Sequence, residues 1–339
     1  MSSPEAKRLK TEAAKIGTHN GHFHADEALA VYMLRLLPSF NNAALLRTRD
    51  SAALETCDII VDVSGVYDGT KHFDHHQRGF TETFSSSKQT KLSSAGLVYK
   101  HFGRAIIAQR LSLPEDHASV ELLYQKLYTE FVEALDANDN GISAYPREIE
   151  PAFSTGGITL PSLIGAFNPN WNAPVDQAGE DALFEKASKF IGDVFSQKLE
   201  YYASAWLPAR EFVVKALEER TKHDVDGRIL VFEQSIPWKD HLFTLEAEEG
   251  ITDEGKKPLY VLYGEGAGKP NWRIQCVPVS KDSFESRKPL PEAWRGFRDE
   301  ELSKISGVPG GVFVHASGFI GGNTSYEGAL AMAKKALEL

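Results

Sequence analysis

Residues 16–18, Ile-Gly-Thr, read as a short strand that runs into a His/Asp-rich loop. From 26 to 37 the period changes: Leu29, Met33, Leu36 and Leu37 recur at helical spacing until Pro38 stops the helix. Residues 43–48 suggest a second strand. The run at 58–63, Asp-Ile-Ile-Val-Asp-Val, is almost continuously apolar, as expected of a parallel strand buried on both faces, so its internal charge, Asp62, needs a partner. A helix is expected over 93–102. Leu123, Leu127, Phe131 and Leu135 recur every four residues and mark a long helix with one buried face, which Gly141 can end. Strands alternating with helices predict an α/β domain with a largely parallel sheet flanked by helices, whose ligands sit at the carboxyl ends of the strands.

Residues 145–174 are rich in Pro, Gly, Ser and Asn and read as a connecting region. A helical stretch from 181 to about 206 follows and is expected to end near Pro208. Strands are predicted at 228–233, 258–263, 272–279 and 311–315, with a glycine-rich hairpin loop at 264–268 and an amphipathic helix over 326–339. The expected organisation is a disordered tail at 1–15, a first α/β domain at 16–180 that holds the His/Asp-rich segments, a helical connector at 181–210 and a smaller α/β domain at 211–339.

Composition narrows the class. The chain has 339 residues, 42% of them hydrophobic and 25% charged, enough for two domains of ordinary size, and no run approaches the length of a membrane span. The formal net charge of -10 argues against a protein that coats nucleic acid by bulk electrostatics, so any nucleic-acid contact is local. The two cysteines, Cys57 and Cys276, each lie in an apolar stretch and neither staple a fold nor form a zinc site, which points to a reducing compartment. A Lys7-Arg8-Leu9-Lys10 cluster in the tail is a candidate nuclear-import signal, although short basic runs are common on solvated tails.

The chemistry is carried by four clusters, each at the end of an apolar element. They are His19-Asn20-Gly21-His22-Phe23-His24-Ala25-Asp26-Glu27, then Asp62, then Asp74-His75-His76, then Asp136-Ala137-Asn138-Asp139-Asn140-Gly141. Singly, each has an ordinary reading: a surface His, a helix-end Asp136, a turn at Asp139-Asn140-Gly141. Together they form a mixed His/carboxylate set, which favours Mn²⁺ with Mg²⁺ next. Asp62, at the end of a buried strand, is best compensated by bridging two cations.

The triplet Asp74-His75-His76 resembles the signature of the DHH phosphoesterase superfamily, which includes RecJ nucleases, oligoribonucleases and family II inorganic pyrophosphatases. More closely, Thr18-His19-Asn20-Gly21, His24-Ala25-Asp26-Glu27-Ala28-Leu29, Phe73-Asp74-His75-His76-Gln77-Arg78, Lys91-Leu92-Ser93-Ser94-Ala95-Gly96 and Asp139-Asn140-Gly141-Ile142-Ser143 are similar to the melanocyte proliferating gene 1 exonuclease family. So are Asn168-Pro169-Asn170-Trp171-Asn172, Trp206-Leu207-Pro208-Ala209-Arg210, Trp272-Arg273-Ile274-Gln275-Cys276-Val277-Pro278 and His315-Ala316-Ser317-Gly318-Phe319-Ile320-Gly321-Gly322. The resemblance covers nearly the whole chain after residue 15.

It implies a 3′-5′ exoribonuclease of nucleus and mitochondrion that releases nucleoside monophosphates from single-stranded RNA. By position, His19, His24 and Asp62 would hold one metal ion, and Asp26, Asp62, His75 and either Asp136 or Asp139 a second. Superfamily relatives usually carry Asp where this chain has His24, which bears on metal preference. His76 and Asp74 are the candidate catalytic pair. Arg78, Arg273, His315, Gly318, Gly321 and Gly322 are candidate substrate-binding residues, the glycines letting backbone N–H groups approach a phosphate, or simply building turns. Trp272 or Trp294 would stack on a base, with Arg287 and Arg295 as further phosphate contacts.

Three rivals remain at this level. A small-molecule phosphohydrolase acting on pyrophosphate, short oligonucleotides or cyclic dinucleotides would use the same metals. A silent RNA-binding scaffold would not need the buried ligand set. An amidohydrolase, suggested by His22-Phe23-His24, would need later ligands that His101, His117, His223 and His241 do not supply.

Overall fold

In the computed structural model, residues 13–146, 148–149, 152–266 and 268–339 are described. Most of the expected tail, with its basic cluster, lies outside them. The chain divides into two compact units, Met1–Ala203 and Ser204–Leu339.

The first unit is built on a four-stranded parallel sheet in the order β2-β1-β3-β4. Its strands are β1 (Lys15–Thr18), β2 (Ala44–Arg47), β3 (Ile59–Val61) and β4 (His72–Phe73). Between them run α1 (Ala25–Arg35) and the single turn α2 (Ser51–Leu54), and after them come α3 (Ser94–Leu111), α4 (Ala118–Leu127), α5 (Glu133–Asp139), α6 (Leu160–Gly165) and α7 (Gln177–Tyr201). The α/β expectation holds, and β3 is buried throughout, as its apolar run requires. Helix α1 is enclosed, with residues 25–31, Met33 and Leu34 all buried. It packs on α3 and α7, and α7 comes close because position 192 is glycine: a Cβ there would lie 2.0 Å from the Tyr32 ring.

Periodicity misplaced some boundaries. Helix α3 continues beyond 102 to Leu111, where Ser112 takes a left-handed conformation and ends it. The helix expected through 123–135 is interrupted by a wide π-type turn, Tyr128–Val132, between α4 and α5. Pro208 does not end a helix. It lies in the first turn of α8 (Leu207–Glu219), where its missing N–H is not needed, after a second wide turn at Tyr202–Trp206.

The second unit adds β5 (Ile229–Phe232), α9 (Lys239–Glu248), β6 (Tyr260–Gly264), β7 (Trp272–Cys276), α10 (Asp299–Ser306), β8 (Gly311–Val314), β9 (Ile320–Asn323) and α11 (Tyr326–Glu338). Its mixed sheet has the order β5-β6-β7-β9-β8, with only β5 and β6 parallel. Strand β9 is the glycine-bearing segment that sequence reading treated as a loop motif. Its core gathers Tyr260, Ile274, Leu290, Trp294, Leu302, Met332 and Ala333. Among the described residues no helix is long and apolar enough to cross a membrane.

Candidate metal centre

All four strands of the first sheet end at one cavity of about 930 Å³. Its ligand-bearing loops are fixed before any ion is considered. After β1, Phe23 is sealed in the core, its backbone N–H donating to the Asn168 side chain at 3.0 Å while Asn168 donates back to the Phe23 carbonyl at 2.8 Å. Arg47, at the end of β2, donates to the Gly21 carbonyl at 2.7 Å. His24 then precedes α1 and its N–H donates to Glu27 at 2.8 Å, so the first turn of α1 points Asp26 and Glu27 toward the sheet end, where acidic groups suit the helix dipole.

After β3, Asp62 sits at φ 57°, a left-handed conformation uncommon for a residue other than glycine and typical of sites where geometry is held for function. Its carboxylate accepts from Ser94 Oγ at 3.0 Å and lies 3.4 Å from His19 Nε2, 3.7 Å from His75 Nδ1 and 3.4 Å from His76 Nδ1. After β4, Asp74 accepts from the Gly65 N–H at 2.6 Å and binds both the backbone N–H of His76 (3.0 Å) and its Nδ1 (2.8 Å). His75 Nε2 lies 2.8 Å from Asp139 at the end of α5.

These side chains form three overlapping groups of potential ligand atoms: His19, His24, Glu27 and Asp62; Asp62, Asp74, His75 and His76; and Asp26, His75 and Asp139. Asp62 belongs to two of them, as does His75. The donor set fits divalent cations, because three buried atoms in it have no hydrogen-bond partner: Asp26 Oδ1, Glu27 Oε2 and His75 Nδ1. The electrostatics agree. Burial, then the charges of Asp62, Asp139 and Glu27, push Asp26 well above the usual carboxylate range. His19 is held at about 10 because, although burial opposes its charge, Asp62 and Glu27 outweigh it. Asp62 hydrogen-bonds and pairs with those histidines and is held well below the carboxylate range despite its burial. His76 is raised to about 9, chiefly by Asp62, against burial and with help from Asp74.

The structure separates the two aspartates that sequence left open, and corrects the inclusion of Asp136 among the ligands. Asp136 is fully buried and accepts from the Ser93 N–H (2.9 Å), the Ser93 hydroxyl (2.7 Å) and the Tyr128 hydroxyl (3.0 Å). Its carboxylate is satisfied against the start of α3, where Gly96 leaves room that a Cβ, 2.3 Å from Asp136 Oδ1, would fill. Asp139 is the residue that reaches His75. Glu27 stood in the first cluster but was given no ligand role by the sequence; the structure places it both as the cap that accepts from the His24 N–H and beside His19 at 3.1 Å. Arg49, which lines the cavity, gave no sequence signal at all.

Of the other candidates, Arg78 is exposed and does not line this cavity. Arg273, His315, Gly318, Gly321 and Gly322 belong to the second unit. There Arg273 pairs with Glu265 and covers the Phe313 ring at 4.7 Å, and exposed His315 contacts Ser317 Oγ at 2.8 Å. The three glycines have packing reasons: Gly318 has φ 75° and would clash with Arg295, Gly321 would meet Leu290 and the Phe313 carbonyl, and Gly322 the Trp272 carbonyl. Trp294 is corrected from stacking residue to core side chain, 2% exposed, and Arg287 is committed to Glu246 at 2.6 Å.

The model of the MYG1 exonuclease family, described as "Uncharacterised protein family (UPF0160)", matches residues 15–337. A MYG1 protein of Schizosaccharomyces pombe is 51% identical over 326 residues, 96% of this chain and 97% of its own. A Caenorhabditis elegans MYG1 protein is 50% identical over 331 residues, 96% and 95% of the two chains. The MYG1 exonuclease of Homo sapiens is 49% identical over 346 residues, 98% of this chain and 89% of its own. No solved structure gives a significant match.

Proposed function

The chain belongs to the MYG1 exonuclease family, and on that premise we propose that it is a two-metal 3′-5′ exoribonuclease releasing nucleoside monophosphates from single-stranded RNA. The observation that carries the hydrolytic part is Asp62: a buried carboxylate shared by two groups of potential ligands, beside Asp26 and Glu27, each with one buried oxygen that has no hydrogen-bond partner. The human relative's name supports exonuclease action, and the sequence resemblance supports RNA and polarity. One ion would be held by His19, His24, Glu27 and Asp62, and a second by Asp26, His75 and Asp139 with Asp62, 3.7 Å from His75 Nδ1, as the shared ligand; Mn²⁺ is the best match to mixed nitrogen and oxygen donors. Divalent cations bound there supply Lewis-acid activation of the scissile phosphate and of the attacking water.

The chain's own groups do the rest. Asp74 fixes His76 through Nδ1, leaving Nε2 of an exposed ring to hold a phosphoryl oxygen or, when the ring is protonated, to give a proton to the leaving oxygen. Asn168 and Arg47 keep the His19–His24 loop from moving. Localisation in nucleus and mitochondrion, and a role in RNA processing, follow from the resemblance and belong to the same proposal.

The test is reconstitution of metal-free protein with Mn²⁺, Mg²⁺ or Zn²⁺ and hydrolysis of end-labelled single-stranded RNA, duplex RNA, pyrophosphate and cyclic dinucleotides. Stepwise shortening from the 3′ end with Mn²⁺ is expected. A preference for pyrophosphate or cyclic dinucleotides would replace this reading by a small-molecule phosphohydrolase. Binding of RNA without any hydrolysis would replace it by a scaffold.

A further inference from the structure

The cavity is lined by Asp26, Asp62, Asp74 and Asp139, and among the described residues Arg49 is the only arginine or lysine that lines it. Its place follows from the sheet. Strands β1 and β2 are parallel with Thr18 opposite Arg47, and the Thr48 N–H donates to the Thr18 carbonyl at 2.8 Å, which carries the pairing one step further. Arg49 is therefore set beside the His19–Asn20 turn at the mouth of the metal centre. Three strand ends deliver ligands; the fourth, the edge strand β2, delivers a cation.

That cation is uncommitted. Arg35, Arg47, Arg104, Arg110, Arg210, Arg228, Arg273 and Arg287 all pair with carboxylates. Arg220 and Arg295 donate to carbonyls, and Arg298 covers a ring. Among the described arginines only Arg49 and Arg78 have no such contact, and Arg78 is not at the cavity. An arginine that lines an acid-rich cavity yet joins no acid is left to meet an anion brought from outside.

We propose that Arg49 is a phosphate clamp for the phosphate next to the scissile one, so that the preferred substrate class is a nucleotide chain with at least two consecutive phosphates. This rests on the phosphodiesterase reading above. The scissile phosphate belongs among the His and Asp ligands, while the planar guanidinium at the β2 side matches a neighbouring phosphate with two parallel hydrogen bonds. An exposed clamp of this kind is worth about tenfold in affinity, and its contribution falls with salt.

The experiment uses Mn²⁺-loaded full-length protein and calorimetry with dinucleotides joined by an uncleavable methylene phosphonate. The analogue is compared without a terminal phosphate, with one at the 5′ end, and with one at the 3′ end. In the wild type one terminal phosphate is expected to tighten binding about tenfold. Arg49→Ala is expected to lose that increment at unchanged metal content, and Arg49→Lys to recover part of it. The proposal is overturned by an increment that survives in Arg49→Ala, by no increment in the wild type, or by equal weakening of all three analogues. Because the readout is binding, a wild type that shows the increment but cleaves no RNA would sink the exonuclease reading alone.

Discussion

Replacing Asp62 by Asn tests the bridge at its centre. The substitution keeps shape and backbone preference, since asparagine tolerates the left-handed φ of 57° as well as aspartate does, and its amide oxygen can still accept from Ser94 Oγ at 3.0 Å. What is lost is the charge that holds His19 near 10 and His76 near 9, so both should titrate closer to their ordinary range in the metal-free variant. The same loss relieves repulsion on Asp26, so cooperative unfolding of the metal-free chain should be retained. Metal Lewis-acid catalysis is worth several kcal/mol, and at 1.36 kcal/mol per decade, losing a ligand common to two ions should lower turnover at least about 10³-fold. The assay is hydrolysis of single-stranded RNA with Mn²⁺ in excess, beside metal content by mass spectrometry and thermal unfolding in chelator. A variant that binds two metals per chain and turns over within a few-fold of wild type would refute the shared-ligand reasoning.

The two aspartates of α5 should behave oppositely. Asp139→Ala is expected to lower metal content and activity with little change in chelated stability, and normal metal stoichiometry would exclude it as a ligand. Burial raises Asp136 to about 7, even though Ser93, Tyr128 and Gly96 hydrogen bonds oppose this. The folded chain thus holds that proton more tightly than the unfolded one, and this stability is full below about pH 4 and lost as pH rises through about 7. In chelator, wild type should therefore lose up to roughly 3 kcal/mol relative to Asp136→Asn between about pH 5 and about pH 8, and parallel denaturation profiles would contradict it. Deleting residues 1–14 should reduce nuclear accumulation of a tagged protein without changing activity in vitro; an unchanged distribution dismisses the Lys7–Lys10 cluster as a signal. His315→Ala should raise KM for long RNA while leaving metal content and hydrolysis of a minimal diester nearly unchanged, whereas equal losses on both substrates would place it in the chemical step.

The clusters of the candidate site were legible because a buried strand that ends in a charge, or a helix that begins with acids beside histidines, conflicts with its own apolar pattern. That conflict marks His19, His24, Asp26, Asp62 and the 74–76 triplet without any knowledge of pairing. It could not separate Asp136 from Asp139, since residues three apart share a helix face. The decision is made by α3, remote in sequence, whose Ser93 and Gly96 close around Asp136 and leave Asp139 to face His75. Strand β9 was hidden for a related reason: its glycines read as turn formers, whereas they let β9 pack between β7 and β8. Trp294 shows the reverse error, since an aromatic beside arginines is equally well explained by a core that the sequence does not display.

Much of the precision of the candidate metal site is carried by α1. His24, Asp26 and Glu27 are fixed at the start of a helix whose remaining length is buried on nearly every side, and a helix so enclosed cannot turn without disturbing its whole core. Its outer face is set by α7: the Gly192–Tyr32 approach, the Ser188 hydroxyl donating to the Ala28 carbonyl at 2.7 Å, and the Arg35–Glu185 pair at 2.6 Å. A side chain at 192 would have to displace the Tyr32 ring, and the rotation of α1 needed to admit it would carry Asp26 and Glu27 away from Asp62 and His19. The long helix after the glycine-rich connection, which has no group in the ligand set, thus fixes the angle at which two acids enter it.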